Sequence, residues 1–221
     1  MRLFPKIIRN FARQINEKSL IMKRIILAAA LCMPLAASAQ NTWEMPEVSE
    51  VKGNPDAKYL AGAVPEENGK VVFKKTIQAP GKKAAQVYGI VEAYLQKLTK
   101  ESNQSEQSRV TVANPESNQL IGTYQEWLVF KSTALVLDRT RFFYTLSVDC
   151  FDGRAEVTIT NIFYLYEEDR SPMNYKAEEW ITDKWGLNKK QNKLSRVSGK
   201  FRRKTIDRQD YLFNKLESLL K

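Results

Sequence analysis

The fold of this chain is determined by the stretch Thr140–Leu165, TRFFYTLSVDCFDGRAEVTITNIFYL. Apolar and polar residues alternate in two runs that flank Asp152-Gly153, a dipeptide typical of a two-residue β-hairpin turn. The period of two predicts four apolar cross-strand pairs on one face: Cys150 with Ala155, Val148 with Val157, Leu146 with Ile159, and Phe142 with Phe163. The opposite face is polar, and Asp149 and Glu156 are neighbours on it. The stretch therefore predicts an antiparallel sheet with one face toward water.

The segments on either side of this hairpin extend the sheet and supply helices. Further strands are predicted at three places: 71–77, 109–113 and 120–131. Apolar residues spaced by three and four predict three helices: 82–99, 175–185 with Gly186 as its C-cap, and 205–220 with Thr205 as its N-cap. The apolar face of the sheet must be covered, so we expect an α+β fold, an antiparallel sheet with helices packed on one face. Phe143, Tyr164 and Tyr166 are expected to point away from that face.

An export signal precedes these elements. Met22-Lys23-Arg24 is a basic start, residues 25–36 are largely apolar, and Ala37-Ser38-Ala39 is a small-x-small cleavage pattern. The apolar run is shorter than the roughly 20 residues of a membrane-spanning helix, so no transmembrane span is expected in the mature chain. We expect cleavage before Gln40 and an exported protein in the periplasm, in the outer envelope or outside the cell.

Removal of residues 1–39 changes the charge of the chain. They hold seven of the 35 basic and one of the 25 acidic residues, which leaves 28 basic against 24 acidic and lowers the net charge from +10 to about +4. The high pI of the whole chain is thus a poor argument for nucleic acid, and no nucleic-acid partner is expected. The mature chain has no histidine and one cysteine, Cys150, which excludes an intrachain disulfide and the usual general base. No metal or cofactor motif occurs, and no cofactor is expected.

The order of strand, helix, strand meander and C-terminal helix resembles a known family. The stretch Gly69–Ile77, GKVVFKKTI, followed by a Pro-Gly-Lys step into a helix, is similar to the opening of a secreted Bacteroidetes domain of unknown function with a TBP-like fold. The resemblance covers residues 64–166. It implies a TBP-like fold and an envelope or extracellular setting, and it implies no catalytic residue.

Five segments follow from these observations. They are an upstream extension before the true start (1–21), the signal peptide (22–39), an irregular N-terminal extension (40–68), the TBP-like α+β domain (69–166), and a basic helical extension that packs on the domain (167–221).

Candidate catalytic residues are few. Glu126, Asp149 and Glu156 are carboxylates on or beside strands, and two carboxyls about 5 to 10 Å apart across a cleft could hydrolyse a glycoside. On an open polar face the same residues would be ordinary surface groups. Cys150 lies on the apolar face, where a thiol without a histidine partner is structural rather than nucleophilic. No catalytic residue is therefore assigned.

The segment 184–204 is strongly basic. It contains nine Lys and Arg residues and no acid, and in an exported chain such charge favours anionic glycans, lipid headgroups or an acidic protein surface as partners. The candidate anion-binding residues are Lys189, Lys190, Lys193, Arg196, Lys200, Arg202, Arg203 and Lys204. A solvated linker between two helices would have the same composition.

Three functions remain open. The chain could be an exported, non-enzymatic envelope or secreted binding module whose partner is an unknown envelope protein or an anionic surface. It could instead be a carboxylate-based hydrolase acting on an envelope or extracellular substrate. Thirdly, it could bind anionic glycan or lipid surfaces through its basic C-terminal segment. The lack of a catalytic constellation in the sequence favours the binding module.

Overall fold

An antiparallel sheet forms the centre of the molecule. The computed structural model describes Asn41, Trp43, Glu44 and residues 54–221. The predicted upstream extension and signal peptide lie outside the described residues and stay predictions. The strands in chain order are β1 (Glu66–Glu67), β2 (Lys70–Val71), β3 (Phe73–Gln78), β4 (Arg109–Asn114), β5 (Gln119–Ser132), β6 (Leu137–Phe151), β7 (Arg154–Tyr166) and β8 (Met173–Lys176). The predicted strands are therefore confirmed.

The main sheet has six strands. Five have the order β3-β7-β6-β5-β4, the sixth, β8, pairs with β7, and all pairings are antiparallel. Two strands pair with the edge of β7 that faces away from β6: β3 pairs with residues 154–159 and β8 with residues 163–166. The short strands β1 and β2 form a separate hairpin.

The helices pack on one face of this sheet. They are α1 (Ala84–Leu98), the single turn α2 (Asp183–Gly186) and α3 (Gly199–Leu220), with 3₁₀ turns at Ala57–Tyr59 and Ala177–Glu179. Alternate residues of β5 and β6 are buried beneath α1 and α3, while those between them stay partly exposed. The predicted α+β class, with helices on one face, is confirmed. No helix among the described residues is long and apolar enough to cross a membrane.

A β-bulge in β7 limits the register prediction. The predicted pairs of Cys150, Val148 and Leu146 are present, but Phe142 pairs with Tyr164 instead of Phe163. Two residue steps in β6, from Phe143 to Thr145, lie opposite three steps in β7, from Phe163 to Thr160. Asn161, within that stretch of β7, has a left-handed backbone with φ of 52°. Because of the extra residue, the side chains of β7 after Asn161 face the opposite side of the sheet from the one that strict alternation predicts.

The bulge also corrects the expectation for two tyrosines. Tyr164 is fully buried, and its hydroxyl lies 2.6 Å from that of Thr205 in α3. Tyr166 packs on Phe201 of the same helix. Of the three residues expected to point away from the helices, only Phe143 does so, as the alternating burial of β6 shows.

Two predicted helices were wrong in their extent. Residues 175–185 are not one helix, because Met173–Lys176 pairs with the free edge of β7 and Tyr175 then stacks on Trp180 at 3.8 Å. The last helix begins at Gly199, so Thr205 is an interior residue and not an N-cap. Gly186 is the last residue of α2 and not its C-cap, which is Leu187. Its small size matters for packing, because a Cβ there would lie 2.6 Å from the carbonyl oxygen of Ile181.

Candidate functional site

Asp149 and Glu156 lie opposite each other on β6 and β7, as the sequence predicted. Asp149 accepts a hydrogen bond of 2.8 Å from Gln119, and Glu156 accepts one of 3.3 Å from Arg154. They belong to the strand face that no described helix covers, and they line neither of the two cavities described here. The pair therefore lies on an open strand face, where two carboxylates are ordinary surface groups.

Glu126, the third carboxylate, is a buried structural group. Its oxygens accept hydrogen bonds from Nε and Nη2 of Arg208 at 2.8 and 2.7 Å, and from the side-chain amides of Asn103 and Gln104 at 2.7 and 2.9 Å. Burial raises the pKa of Glu126, and the guanidinium of Arg208 opposes that rise. Because the carboxylate is enclosed and already bonded, it joins helix to sheet and is not available to a substrate.

Cys150 is buried on the apolar face, as predicted. Burial raises the pKa of its thiol to about 12, so little nucleophilic thiolate forms at neutral pH. Within residues 54–221 and the three described residues before them, no three His, Cys, Asp or Glu side chains cluster to hold a metal ion.

The predicted basic set is divided by the structure into two groups with different roles. Four members lie in the first turns of α3 and form ion pairs with carboxylates of other segments: Lys200 with Asp138, Arg202 with Asp183, Arg203 with Asp56 and Lys204 with Glu44. Arg202 is fully buried and also donates to the carbonyl oxygens of Tyr59, Leu60 and Ile181 at 2.6 to 2.7 Å. Lys200 therefore joins α3 to β6, Arg202 joins it to α2 and the turn at Tyr59, and Arg203 and Lys204 join it to the N-terminal segment.

The other four members, Lys189, Lys190, Lys193 and Arg196, are exposed in the loop between α2 and α3. The loop is ordered by Asn188, whose backbone nitrogen donates to the carbonyl oxygen of Lys193 at 3.0 Å. None of the four makes an ion pair with any residue that the structure describes. Anion binding remains a prediction for these exposed residues.

The larger cavity, of about 940 Å³, is an open groove between the N-terminal segment and α3. Most of its charged groups are paired: Lys58, for example, lies 2.6 Å from Asp207, which also accepts a hydrogen bond of 2.8 Å from Tyr59. Burial and this hydrogen bond raise the pKa of Tyr59 to about 12. The groove therefore offers little uncompensated charge to a charged ligand.

The uncovered face of the sheet has a group of cations and aromatic rings near the β5–β6 hairpin. The guanidinium carbons of Arg139 and Arg141 lie 3.6 and 3.7 Å from the centre of the Trp127 ring. Two groups so close to one centroid cannot share a side of the ring, so the indole is held between them. Beside it, the rings of Phe143 and Phe163 stack at 4.2 Å.

Lys176 extends this surface because it lies opposite Phe163 in the β7–β8 pair. We call Trp127, Arg139, Arg141, Phe143, Phe163 and Lys176 the cationic aromatic face. Arg141 faces Glu168 at 3.4 Å, whereas Arg139 and Lys176 make no ion pair with a described residue. The face therefore combines one exposed aromatic side chain, Phe163, with positive charge that is only partly balanced.

Sequence reasoning missed this face. Trp127 lies 12 residues before Arg139 and 14 before Arg141, and the pairing of Trp127 with Arg141 in the β5–β6 hairpin brings the three together. The sequence did contain an alternating pattern that indicates this face, since Arg139, Arg141 and Phe143 alternate with buried residues along β6. The register between β5 and β6 was needed to interpret it.

A single antiparallel sheet, with helices on one face and a strand-helix-meander-helix order, defines a class of α+β proteins, those with a TBP-like fold. This chain belongs to the family described as a domain of unknown function (DUF4468) with TBP-like fold, whose profile matches residues 73–165. The family and fold implied by the resemblance of Gly69–Ile77 and the following helix are thereby confirmed.

Solved structures support this assignment. A DUF4468 family protein from Bacteroides ovatus is 41% identical, with a TM-score of 0.71 over 76% of this chain and 96% of that chain. A TBP-like protein from Parabacteroides distasonis is 19% identical, with a TM-score of 0.56 over 71% of this chain and 96% of that chain, and it supports the fold alone. No curated protein matches the chain.

Proposed function

We propose that the mature chain is exported and acts as a non-enzymatic binding module that takes an acidic glycan on its cationic aromatic face. The observation that carries this proposal is the Trp127 ring held between Arg139 and Arg141 on a sheet face without a described helix over it. Stacking leaves the N–H edge of Arg139, which has no ion pair with a described residue, free to meet carboxylate or sulfate groups, and Arg141 adds positive charge beside it. Adjacent aromatic rings give sugar rings an apolar surface to pack against.

The export part of the proposal is supported by the order of basic, apolar and small residues before Gln40. Its test is the N-terminal sequence of the protein recovered from separated cytoplasmic, periplasmic, membrane and medium fractions. We expect the chain to begin at Gln40 and to lie outside the cytoplasm. A cytoplasmic protein that retains residues 22–39 would contradict it.

The binding part is tested with a fluorescent heparin-derived octasaccharide and, for comparison, neutral dextran of similar length. We expect the octasaccharide to bind in a salt-dependent manner and dextran not to bind. The double variant R139Q/R141Q should weaken binding at least tenfold, and Trp127→Ala several fold.

The matched control is R109Q/R154Q, which removes the same charge from exposed positions elsewhere on the same sheet. Its affinity should stay within twofold of the wild-type value. An equal loss in the control would show that only net charge matters and would overturn the assignment of this face. Failure of the wild-type chain to bind any acidic glycan would overturn the ligand class.

A further inference from the structure

The hairpin between β5 and β6 exposes three consecutive large apolar side chains. Leu135 is 96% exposed, and Val136 and Leu137 are each about half exposed. The turn is ordered by a hydrogen bond of 2.8 Å from the backbone nitrogen of Thr133 to the carbonyl oxygen of Val136. An ordered turn that holds apolar groups in water indicates a contact with another apolar phase.

Other exposed apolar residues lie at the same end of the molecule. Met173 pairs with Tyr166, which pairs in turn with Thr140 near the start of β6. The first turn of α3 reaches the hairpin base, since Lys200 bonds Asp138 at 2.7 Å.

Val197 and Trp185 adjoin that turn, because the hydroxyl of Ser198 donates to the carbonyl oxygen of Trp185 at 2.5 Å. Val197 is 60% exposed and Trp185 is 48% exposed. Six of the ten exposed large apolar residues in the described chain therefore share this end: Leu135, Val136, Leu137, Met173, Trp185 and Val197.

The same end carries cations that no described carboxylate neutralises. They are Lys131 beside the hairpin tip, Lys184, and the four exposed loop residues Lys189, Lys190, Lys193 and Arg196. Most nearby acids are already paired: Asp138 with Lys200, Asp183 with Arg202, Glu167 with Arg170 and Glu168 with Arg141, while Asp169 has no ion pair with a described residue. The end is therefore both apolar and positively charged.

We propose that this end of the molecule is a membrane-contact surface for a bilayer with anionic headgroups. The hairpin tip and Trp185 enter the headgroup region, while the loop lysines and Arg196 meet the lipid phosphates. A soluble glycan would leave Leu135 in water, so the apolar tip favours a lipid. A second copy docked through the same end would bring two cationic loops together, so charge disfavours self-association.

This surface adjoins the cationic aromatic face at the base of the β5–β6 hairpin but shares none of its six residues, and it goes beyond the glycan-binding proposal. The chain from Gln40 contains every described residue, and Ala39–Lys221 is a compact unit. The test measures cosedimentation of this chain with vesicles of phosphatidylcholine alone and of phosphatidylcholine with 30% phosphatidylglycerol. Thermal melting of each variant shows that it is folded.

We expect binding to the anionic vesicles that weakens with salt. Leu135→Ser should lower the affinity at least fivefold, and the quadruple variant K189Q/K190Q/K193Q/R196Q at least tenfold. Control variants change exposed groups elsewhere: Leu219→Ser for the apolar part, and K97Q/K100Q/R109Q/K215Q for the charge. Their affinities should stay within twofold of wild type.

Three outcomes would overturn the proposal: no binding of the wild-type chain to anionic vesicles, equal losses in the controls, or a dimer in solution that Leu135→Ser abolishes. The last would assign the tip to self-association. R139Q/R141Q should still bind vesicles, and Leu135→Ser should still bind the octasaccharide. Failure of one proposal is thereby distinguished from failure of the other.

Discussion

Arg208 of α3 and Glu126 of β5 form a fully buried ion pair, with two guanidinium nitrogens 2.8 and 2.7 Å from the two carboxylate oxygens. Nη2 of Arg208, one of these two nitrogens, also donates to Glu101, in the segment after α1, at 2.8 Å. The pair therefore connects the last helix to the middle of the sheet and to the turn that follows the first helix. Since it occupies the core, its removal tests how the helical layer is attached.

Arg208→Met leaves the Glu126 carboxylate buried without its cation. We expect the free energy of unfolding, measured by urea denaturation, to fall by about 3 to 5 kcal/mol. The double variant R208M/E126L removes both charges and should recover most of that loss, because the cost arises from the unpaired charge. A single variant as stable as the wild-type chain would show that the pair does not stabilise the fold.

Arg202 is expected to be structural although it lies in the basic segment. Arg202→Gln removes the guanidinium that joins Tyr59, Leu60, Ile181 and Asp183. Unfolding free energy should fall by about 3 kcal/mol, because buried carbonyl oxygens and Asp183 lose their donor. Lys193→Gln, an exposed control from the same segment, should change it by less than about 0.5 kcal/mol. Equal effects of the two substitutions would contradict this division of the segment.

Asn161 is expected to be needed for its left-handed backbone. Asn161→Val places a β-branched side chain at a φ of 52° and should lower the unfolding free energy by about 1 to 2 kcal/mol. Asn161→Gly tolerates that conformation and should remain close to wild type. Thermal and urea unfolding of both variants measure the difference, and a valine variant as stable as the glycine variant would argue against the bulge.

Cys150 should be unreactive while the chain is folded. With its pKa raised to about 12, the thiol should resist iodoacetamide at pH 8 and react promptly in urea. The folded pKa is above the ordinary value of 9.0, so the folded state retains the proton more strongly. The stability from this group is complete below pH 9 and is lost as the pH rises toward 12.

The comparison that isolates this effect is Cys150→Ala, which lacks the thiol. Its unfolding free energy should decline less steeply than that of the wild-type chain above pH 9. Parallel pH profiles, or rapid alkylation of the folded wild-type chain at pH 8, would contradict the burial of the thiol.

The hairpin and first helix were predictable because their signals are local. Asp152-Gly153 permits a tight turn, and the alternation beside it sets three of the four predicted pairs. The stripe of apolar residues in 82–99 predicted α1, observed at Ala84–Leu98. Each signal depends only on residues that are close in sequence, so no long-range information was required.

The candidate site was less predictable because its residues depend on pairing between distant segments. The basic segment was visible in the sequence, but the sequence could not separate Arg202 and Lys200, which bond to groups on other segments, from Lys193 and Arg196, which are exposed and unpaired among the described residues. That division depends on whether carboxylates and carbonyl oxygens reach a given cation. Charge composition carries no such information.

The sequence by itself determined the turn at Asp152-Gly153, the antiparallel sheet with one apolar face and the helix that covers part of it. The tertiary structure alone decided the bulge at Asn161, the pairing of Met173–Lys176 with the free edge of β7, and the stacking of Trp127 between two arginines. The physical reason is range. Turn and periodicity preferences act over a few residues, whereas strand edges, buried charges and stacked rings acquire their partners only when distant segments pack together.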